Sequence, residues 1–324
     1  MSDQVIHPSR TDLDIIENAN EPGPSAPIGT VQPTTKRLTR SQLIFRRFLR
    51  NKTAVVGLIV YLVLILMAIF GPLISPWHFD DVDRTAYLKP PSPEHWFGTT
   101  QSGRDVLALT MRGLRKSLLI GLLVAGISTT IAATVGSFAA YFGGWFERIA
   151  LWFIDLLLVI PSFLIIAIVT TGGPKGPHSW LLLVVMLAGF SWFLSARVVR
   201  SLTMSVKERE YVLAARFMGL SAPKIVFRHI VPNISSLLII DATLGVGGAV
   251  LAEASLSFFG FGVQAPDTSL GTLISEGQRM ATTFPWIFLC PAAVLVVMVL
   301  AINAVGDGLR DALDPNSNSG GKAA

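Results

Sequence analysis

Long apolar runs alternate with short polar segments along this chain. Six runs, at about 54–74, 117–140, 149–170, 180–196, 234–257 and 285–305, match the length needed to cross a hydrocarbon core of ~30 Å. Each therefore predicts a membrane-spanning helix, the only open-ended element that satisfies its own backbone in lipid. The first run is bulky and purely aliphatic and is expected at the lipid-facing periphery. The second places Ser128, Ala132, Gly136 and Ala140 at four-residue spacing, and the fifth places Asp241, Gly245, Gly248 and Ala252 on one stripe. Small residues on one face let transmembrane helices approach closely. Pro161 interrupts the third run and predicts a kink near its middle.

The polar segments carry their own patterns. Residues 1–35 lack apolar periodicity and read as a disordered tail. Residues 36–53 are basic with interspersed Leu43, Ile44, Phe45, Phe48 and Leu49, the composition of an interfacial helix on anionic lipid. The first connection, 75–116, ends in a turn at Gly98, Thr99, Gly103, Arg104 and Asp105 that leads into an amphipathic helix re-entering the membrane. The segment 198–233 holds the longest patterned polar stretch. Tyr211, Ala214, Ala215 and Met218 recur at helical spacing, so they are expected on one face. Gly219 stands where a left-handed C-cap is wanted, Ser221 at an N-cap, Pro223 in a first turn, and Pro232 at the end of the unit. A compact pair of short helices with a small-residue face, set between spans, suits capture by another protein. Residues 316–324 form a terminal tail.

Composition agrees with a membrane chain: 51% of residues are apolar and the mean hydropathy is +0.57. The net charge of +5 is explained by orientation rather than nucleic acid. With the N-terminus inside, 18 Lys and Arg fall on the inner side and 8 on the outer, six of those in the long loop 75–116. Both termini are thus expected in the cytoplasm. The first apolar run begins too late for a secretory signal peptide and is expected to remain as an anchor. The single cysteine, Cys290, excludes an intrachain disulfide framework. The sequons at Asn51 and Asn233 fall on the inner side, where glycosylation is not expected.

Candidate chemistry is sparse. Asp155, Asp241 and Glu253 are the acids inside the spans; an ionisable group there costs at least ~2.5 kcal/mol at the helix centre unless it faces protein or water. Asp241 lies on the small-residue stripe and is the candidate to line a path with Gly245 and Gly248. Asp155 and Glu253 fit structural hydrogen bonds or snorkelled positions better. No G-x-x-x-x-G-K-[ST] sequence occurs, so ATP is not expected to bind here; Gly113-Leu114-Arg115-Lys116-Ser117 lacks the glycine before lysine. No cofactor, metal-ligand spacing or catalytic constellation stands out, and His229 has no partner nearby in sequence.

The segment containing Glu210, Tyr211, Ala214, Ala215, Arg216, Gly219, Ile225, His229, Ile230, Pro232 and Asn233 resembles the EAA loop of ABC-importer permeases, in the form of the dipeptide/oligopeptide (Dpp/Opp) branch. The general pattern has Glu before the two alanines; Leu213 stands there, with Glu210 three residues earlier. Gly98, Thr99, Gly103, Arg104 and Asp105 resemble the GTD-x-x-GRDVLSR segment of that branch, with departures at Thr100, Ala108 and Leu109. Residues 253–262 resemble its E-x-x-LSFLGLG segment with Phe259 and Phe261 replacing leucines, residues 265–271 keep only traces of the PP-x-PSWG pattern, and residues 306–315 match its GDGLRDxLDP tail. The resemblance covers 97–315 and points to the C-type of the two permeases. It implies an all-α fold of six transmembrane helices with a cytoplasmic coupling helix, like a type I importer permease. It also implies a homologous B-type permease, one or two ABC ATPase subunits that carry ATP and Mg, an extracytoplasmic solute-binding protein and a bacterial or archaeal cell membrane. The implied cargo is a di- or oligopeptide, with nickel or another non-peptide solute as the alternative. An ATPase-independent secondary transporter is the rival class, and it predicts an inverted repeat that the sequence does not display. Force is expected to pass through 208–218, with Ala215→Asp or Gly219→Asp abolishing transport while leaving the protein in the membrane, and with Pro161 and the fifth span as points of give.

Overall fold

The computed structural model describes residues 40–173, 176 and 178–313. The tails at 1–35 and 316–324, and the start of the basic segment, lie outside the described residues. The described chain is helical: α1 (Arg40–Arg50), α2 (Lys52–Ile74), α3 (Val106–Phe142), α4 (Gly144–Val159), α5 (Ser162–Gly172), α6 (Ser179–Lys207), α7 (Glu210–Phe217), α8 (Ala222–Ile225), α9 (Val231–Phe258), α10 (Leu270–Gln278) and α11 (Trp286–Leu313). Five helical stretches are long and apolar enough to cross a membrane, and the bent pair α4–α5 makes a sixth.

The third span departs most from its expectation. Instead of a kink, α4 and α5 meet at 75°. Pro161 lacks the N–H that would continue the helix, and its ring pushes Ile160 into the extended region, at φ −75° and ψ 126°. Two other spans run further than their apolar cores. The helix expected before the second span is continuous with it, so α3 is a single rod of 37 residues, about 55 Å long. Asp105 caps its start by accepting from the Ala108 N–H at 2.7 Å. The fifth span likewise continues back to Ala222, through a wide turn at Val226–Ile230 in which the Val231 N–H bonds back to Val226. Pro232 therefore sits in the first turn of α9 and does not end the preceding unit.

α3 is the mast of the molecule. It contributes Leu114, Leu118 and Ala125 to a core shared with α2, α9 and α11, and Ile120 and Val124 to one shared with α5, α6 and α9. Further along, Ala132 packs with Ile154, Trp192, Phe193 and Ala196. The stripe Ser128, Ala132, Gly136 and Ala140 is buried throughout, and a Cβ on Gly136 would lie 2.5 Å from the Ala196 carbonyl oxygen. Backbone-to-backbone approach of this kind depends on small residues. α2 sits at the edge as expected, with Val56, Ile59, Val63, Leu66 and Ile69 exposed and Ala54, Gly57, Leu64 and Ala68 turned inward.

The glycines of 306–308 have a packing role. Gly306 faces Leu244, and Gly308 meets Ala54 and Phe48, where α11 crosses α9, α1 and α2. Asn51, the N-cap of α2, ties this corner by donating to Asp311 at 3.0 Å. Asp314 and Pro315 fall outside the described residues.

Gly136→Val is expected to force α3 from α6 and cost about 1–3 kcal/mol, read as a lowered Tm in detergent. Gly126→Val, where an added Cβ meets nothing within 4 Å, is the matched control expected to unfold near the parent temperature.

Candidate functional site

Three regions hold the residues singled out in the sequence. The first is the segment between α6 and α9. α7 ends in a Schellman motif: the Gly219 N–H bonds to the Arg216 carbonyl at 3.0 Å and the Leu220 N–H to that of Ala215 at 3.2 Å. Gly219 is in the left-handed region at φ 76°, as its position predicted. Ser221 occupies the N-cap of α8 in an extended conformation, without a side-chain cap bond. Val212, Ala215, Ile225, Val226 and Ile230 form a small core of their own, closed by Phe138 and Tyr141 of α3. Ala215 is thus fully buried and does not share a face with Tyr211, Ala214 and Met218. The register of the exposed face is set instead by Tyr211, Ala214, Phe217 and Met218, of which Phe217 is 89% and Met218 71% exposed. Glu210, Arg216 and Pro232 are exposed and His229 half-buried. The His229 carbonyl accepts from the Asn233 amide at 2.9 Å. Val206 of α6 also packs on the core of this hairpin. Beside the hairpin, the Lys207 ammonium donates to the Ala140 carbonyl at 2.9 Å, tying α6 to α3, and the Glu147–Arg200 ion pair joins α4 to α6.

The second region is a cavity of ≈360 Å³ between α3, α5, α6 and α9. The whole α9 stripe of Asp241, Gly245, Gly248 and Ala252 lines it. Packing along the stripe is uneven: an added Cβ on Gly245 would meet Ala125 of α3 at 3.6 Å, Gly248 has nothing within 4 Å, and Gly247, one position round, meets Asn303. Asp241 accepts a hydrogen bond from the Ser195 hydroxyl at 3.0 Å. Ser128, Thr129, Ser162 and Ser191 supply further hydroxyls to the wall. Asp155 and Glu253 lie outside the cavity lining. Asp155 pairs with Arg197 on an exposed surface. Glu253 is fully buried and accepts from Ser117 at 3.0 Å and Ser257 at 2.6 Å, while Ser117 also takes the Leu270 N–H at 3.2 Å. Every polar atom is used in joining α3, α9 and α10, a strut rather than a binding group.

The third region is the loop before α3. Gly98 and Gly103 adopt φ 74° and 72°, and Thr99 pairs with Asp105 across the turn. His95 is buried against Trp77, with Nδ1 2.9 Å from Asp105 and Nε2 3.4 Å from Asp83. Hydrogen bonds from the Thr85 hydroxyl and N–H hold the Asp83 carboxyl below the usual carboxylate range. The motif residues Gly98, Thr99, Gly103 and Asp105 therefore build the turn, and Arg104 points into a separate cavity of ≈430 Å³ with Glu276 and Asp267. Burial pushes the Glu276 carboxyl up, and the Arg104 charge opposes this. Asp267, in the segment where the sequence pattern is weakest, pairs with Lys116 and, at 3.1 Å, with Arg112.

Sequence reasoning missed His95, Asp267 and the hydroxyls of α6. Ser195 and Asp267 have partners 46 and 155 residues away, and those of His95, 10 and 12 residues off, lie in a loop without helix or strand periodicity. Only Lys116 carried a signal, being a charge at the start of an apolar run.

Membrane-length helices around a cavity that carries Asp241 and several hydroxyls, with a structured hairpin presenting apolar side chains at one end of the bundle, define a polytopic helical membrane component built to work with partners. More particularly, the chain belongs to the family of binding-protein-dependent transport system inner membrane components, whose model matches residues 132–318. A second model, the N-terminal transmembrane domain of oligopeptide transport permease C, matches residues 39–91. The chain is 53% identical over 285 residues to the oligopeptide transport system permease protein OppC of Mycobacterium tuberculosis, covering 88% of this chain and 98% of the relative. It is 38% identical over 269 residues to OppC of Bacillus subtilis, covering 83% and 87%. It is 37% identical over 276 residues to the dipeptide transport system permease protein DppC of Alkalihalophilus pseudofirmus, covering 85% and 90%. The chain is accordingly a multi-pass inner-membrane transport component.

Ala215→Asp is expected to bury an uncompensated charge at a cost of about 3–5 kcal/mol. The hairpin would then become susceptible to limited proteolysis. Ala214→Asp, on the exposed face one residue away, is expected to leave the digestion pattern unchanged.

Proposed function

We propose that this chain is the C-type permease subunit of an ATP-driven importer of di- and oligopeptides, supplying half of the path and the coupling contact to the ATPase. The cargo assignment is supported by the names of relatives that match along most of their length. The observation that carries the coupling role is the face of Tyr211, Ala214, Phe217 and Met218, held outward on a hairpin with its own core. An apolar face that is exposed on a well-packed element is suited to a groove in a protein partner. The ATPase subunits hold ATP and Mg; a homologous B-type permease completes the path, and an extracytoplasmic binding protein delivers the cargo at the end carrying the 75–105 loop. Both termini lie in the cytoplasm, in keeping with the Lys and Arg bias.

Asp241, Gly245 and Gly248 line the path, and Asp155 and Glu253 serve structure. When the ATPases close, the hairpin moves and carries α3 and α6 with it as one body, because Phe138 and Tyr141 of α3 and Val206 of α6 pack on the hairpin core and the Lys207 bond ties α6 to α3. The break at Pro161 absorbs the displacement. That is alternating access by rigid-body gating.

The test is ATP-driven uptake of a labelled tripeptide into vesicles containing the assembled importer. Phe217→Asp and Met218→Asp are expected to lower uptake by about tenfold or more, the scale of a lost interface anchor, with normal amounts of chain in the membrane. Uptake at the parent rate in both variants would contradict the coupling assignment, and the absence of peptide uptake by the parent importer would contradict the cargo.

A further inference from the structure

We propose that Asp241 anchors the α9 cavity as a cation-binding wall that takes the ammonium group of a peptide as it passes. This rests on the reading of that cavity as part of the path.

Ser128 donates to the Ala125 carbonyl at 3.1 Å, and Ser191 donates to the carbonyl of Leu187. Ser195 donates to one oxygen of Asp241 at 3.0 Å. A serine hydroxyl has a single proton and two lone pairs. With these protons committed, Ser128, Ser191 and Ser195 present acceptor lone pairs, while Thr129 and Ser162 can donate or accept. The second oxygen of Asp241 takes no hydrogen bond from the described residues, and no Lys, Arg or His is among the residues lining the cavity. The N–H groups along α3, α6 and α9 are used within those helices, and backbone donors reach the wall at the start of α5, beside Ser162.

One uncompensated carboxylate, with serine lone pairs beside it, complements a cation bearing several N–H donors. A primary ammonium has three donors and matches both the charge and the hydrogen bonding. A carboxylate would meet the negative charge of Asp241 with no Lys, Arg or His in the lining to offset it. Gly248 leaves the floor open, so a bulky chain can follow its ammonium group along about 16 Å of α9 between Asp241 and Ala252. Ser195 keeps the carboxylate aimed across the cavity without neutralising it, which makes the contact strong enough to orient cargo and weak enough to release it.

The assembled importer, reconstituted with its ATPases and binding protein, provides the test. Asp241→Cys is made on a Cys290→Ser background, and the thiol is modified after assembly with either a sulfonatoethyl or an aminoethyl methanethiosulfonate. The fold is then identical when the charge is installed. Single-turnover uptake of a tripeptide with a free N-terminus is measured from preloaded binding protein. The sulfonate is expected to restore uptake by about tenfold over the aminoethyl form, the scale of a charge-assisted hydrogen bond. Equal rates with the two reagents would overturn the inference. Gly248→Trp, which fills the cavity, separates this failure from failure of the path itself. A blocked Gly248→Trp importer with charge-insensitive Asp241→Cys leaves the path in place and removes the ammonium contact. Unimpaired uptake by Gly248→Trp removes both.

Discussion

The close approach of α3 and α6 is the constraint on which the rest of the structure depends. Ser128, Ala132, Gly136 and Ala140 allow the two backbones to touch, and the Ala196 carbonyl leaves no space for a side chain on Gly136. At one end of the bundle the same two helices hold the hairpin, through Phe138 and Tyr141 on one and Val206 on the other. Further along they form two walls of the cavity, through Ser128, Ser191 and Ser195. A contact made of small residues has little hydrophobic driving force in lipid; it gains from dispersion at short range and loses it steeply with separation. Such an interface holds one register or fails.

The distribution of glycine separates two uses of the same residue. On α3, Gly113, Gly121 and Gly136 are contact points against α10, α9 and α6. On α9, Gly248 leaves space on the wall that carries Asp241, while Gly247 provides the contact with α11. A stripe of small residues therefore does not by itself distinguish a packed seam from an open wall. The polar residue at its end does: Ser128 has its proton bonded to its own helix, whereas Asp241 retains an oxygen that no residue occupies.

Much of the architecture was legible in the sequence because lipid imposes a one-dimensional rule. Six apolar runs became five long helices and one bent pair, and Pro161, Gly219 and Asp105 did locally what their chemistry dictates. What the sequence concealed was rotation and reach. Tyr211, Ala214, Ala215 and Met218 share a helical arc, yet the small core beneath them draws Ala215 inward and leaves Phe217 outward. Pro232 has the signature of a stop but rests in a helix whose widened turn at Val226–Ile230 accommodates it. Glu253 is an ionisable residue inside a span, which suggests function, and the three-helix strut it makes with Ser117 and Ser257 appears only when α3 and α9 are brought together.

The central claim is that the hairpin, α3 and α6 move as one body between the ATPase contact and the cavity. Ser137 and Thr203 face each other across this pair with their hydroxyls 3.3 Å apart, so cysteines there are within disulfide reach. The most direct measurement is peptide uptake by an assembled importer carrying Ser137→Cys and Thr203→Cys on a Cys290→Ser background, before and after oxidation. The account predicts that the cross-link forms and that ATP-driven uptake continues at the unoxidised rate. Loss of uptake on oxidation, with recovery on reduction, would show that α3 and α6 must slide past one another and would contradict it.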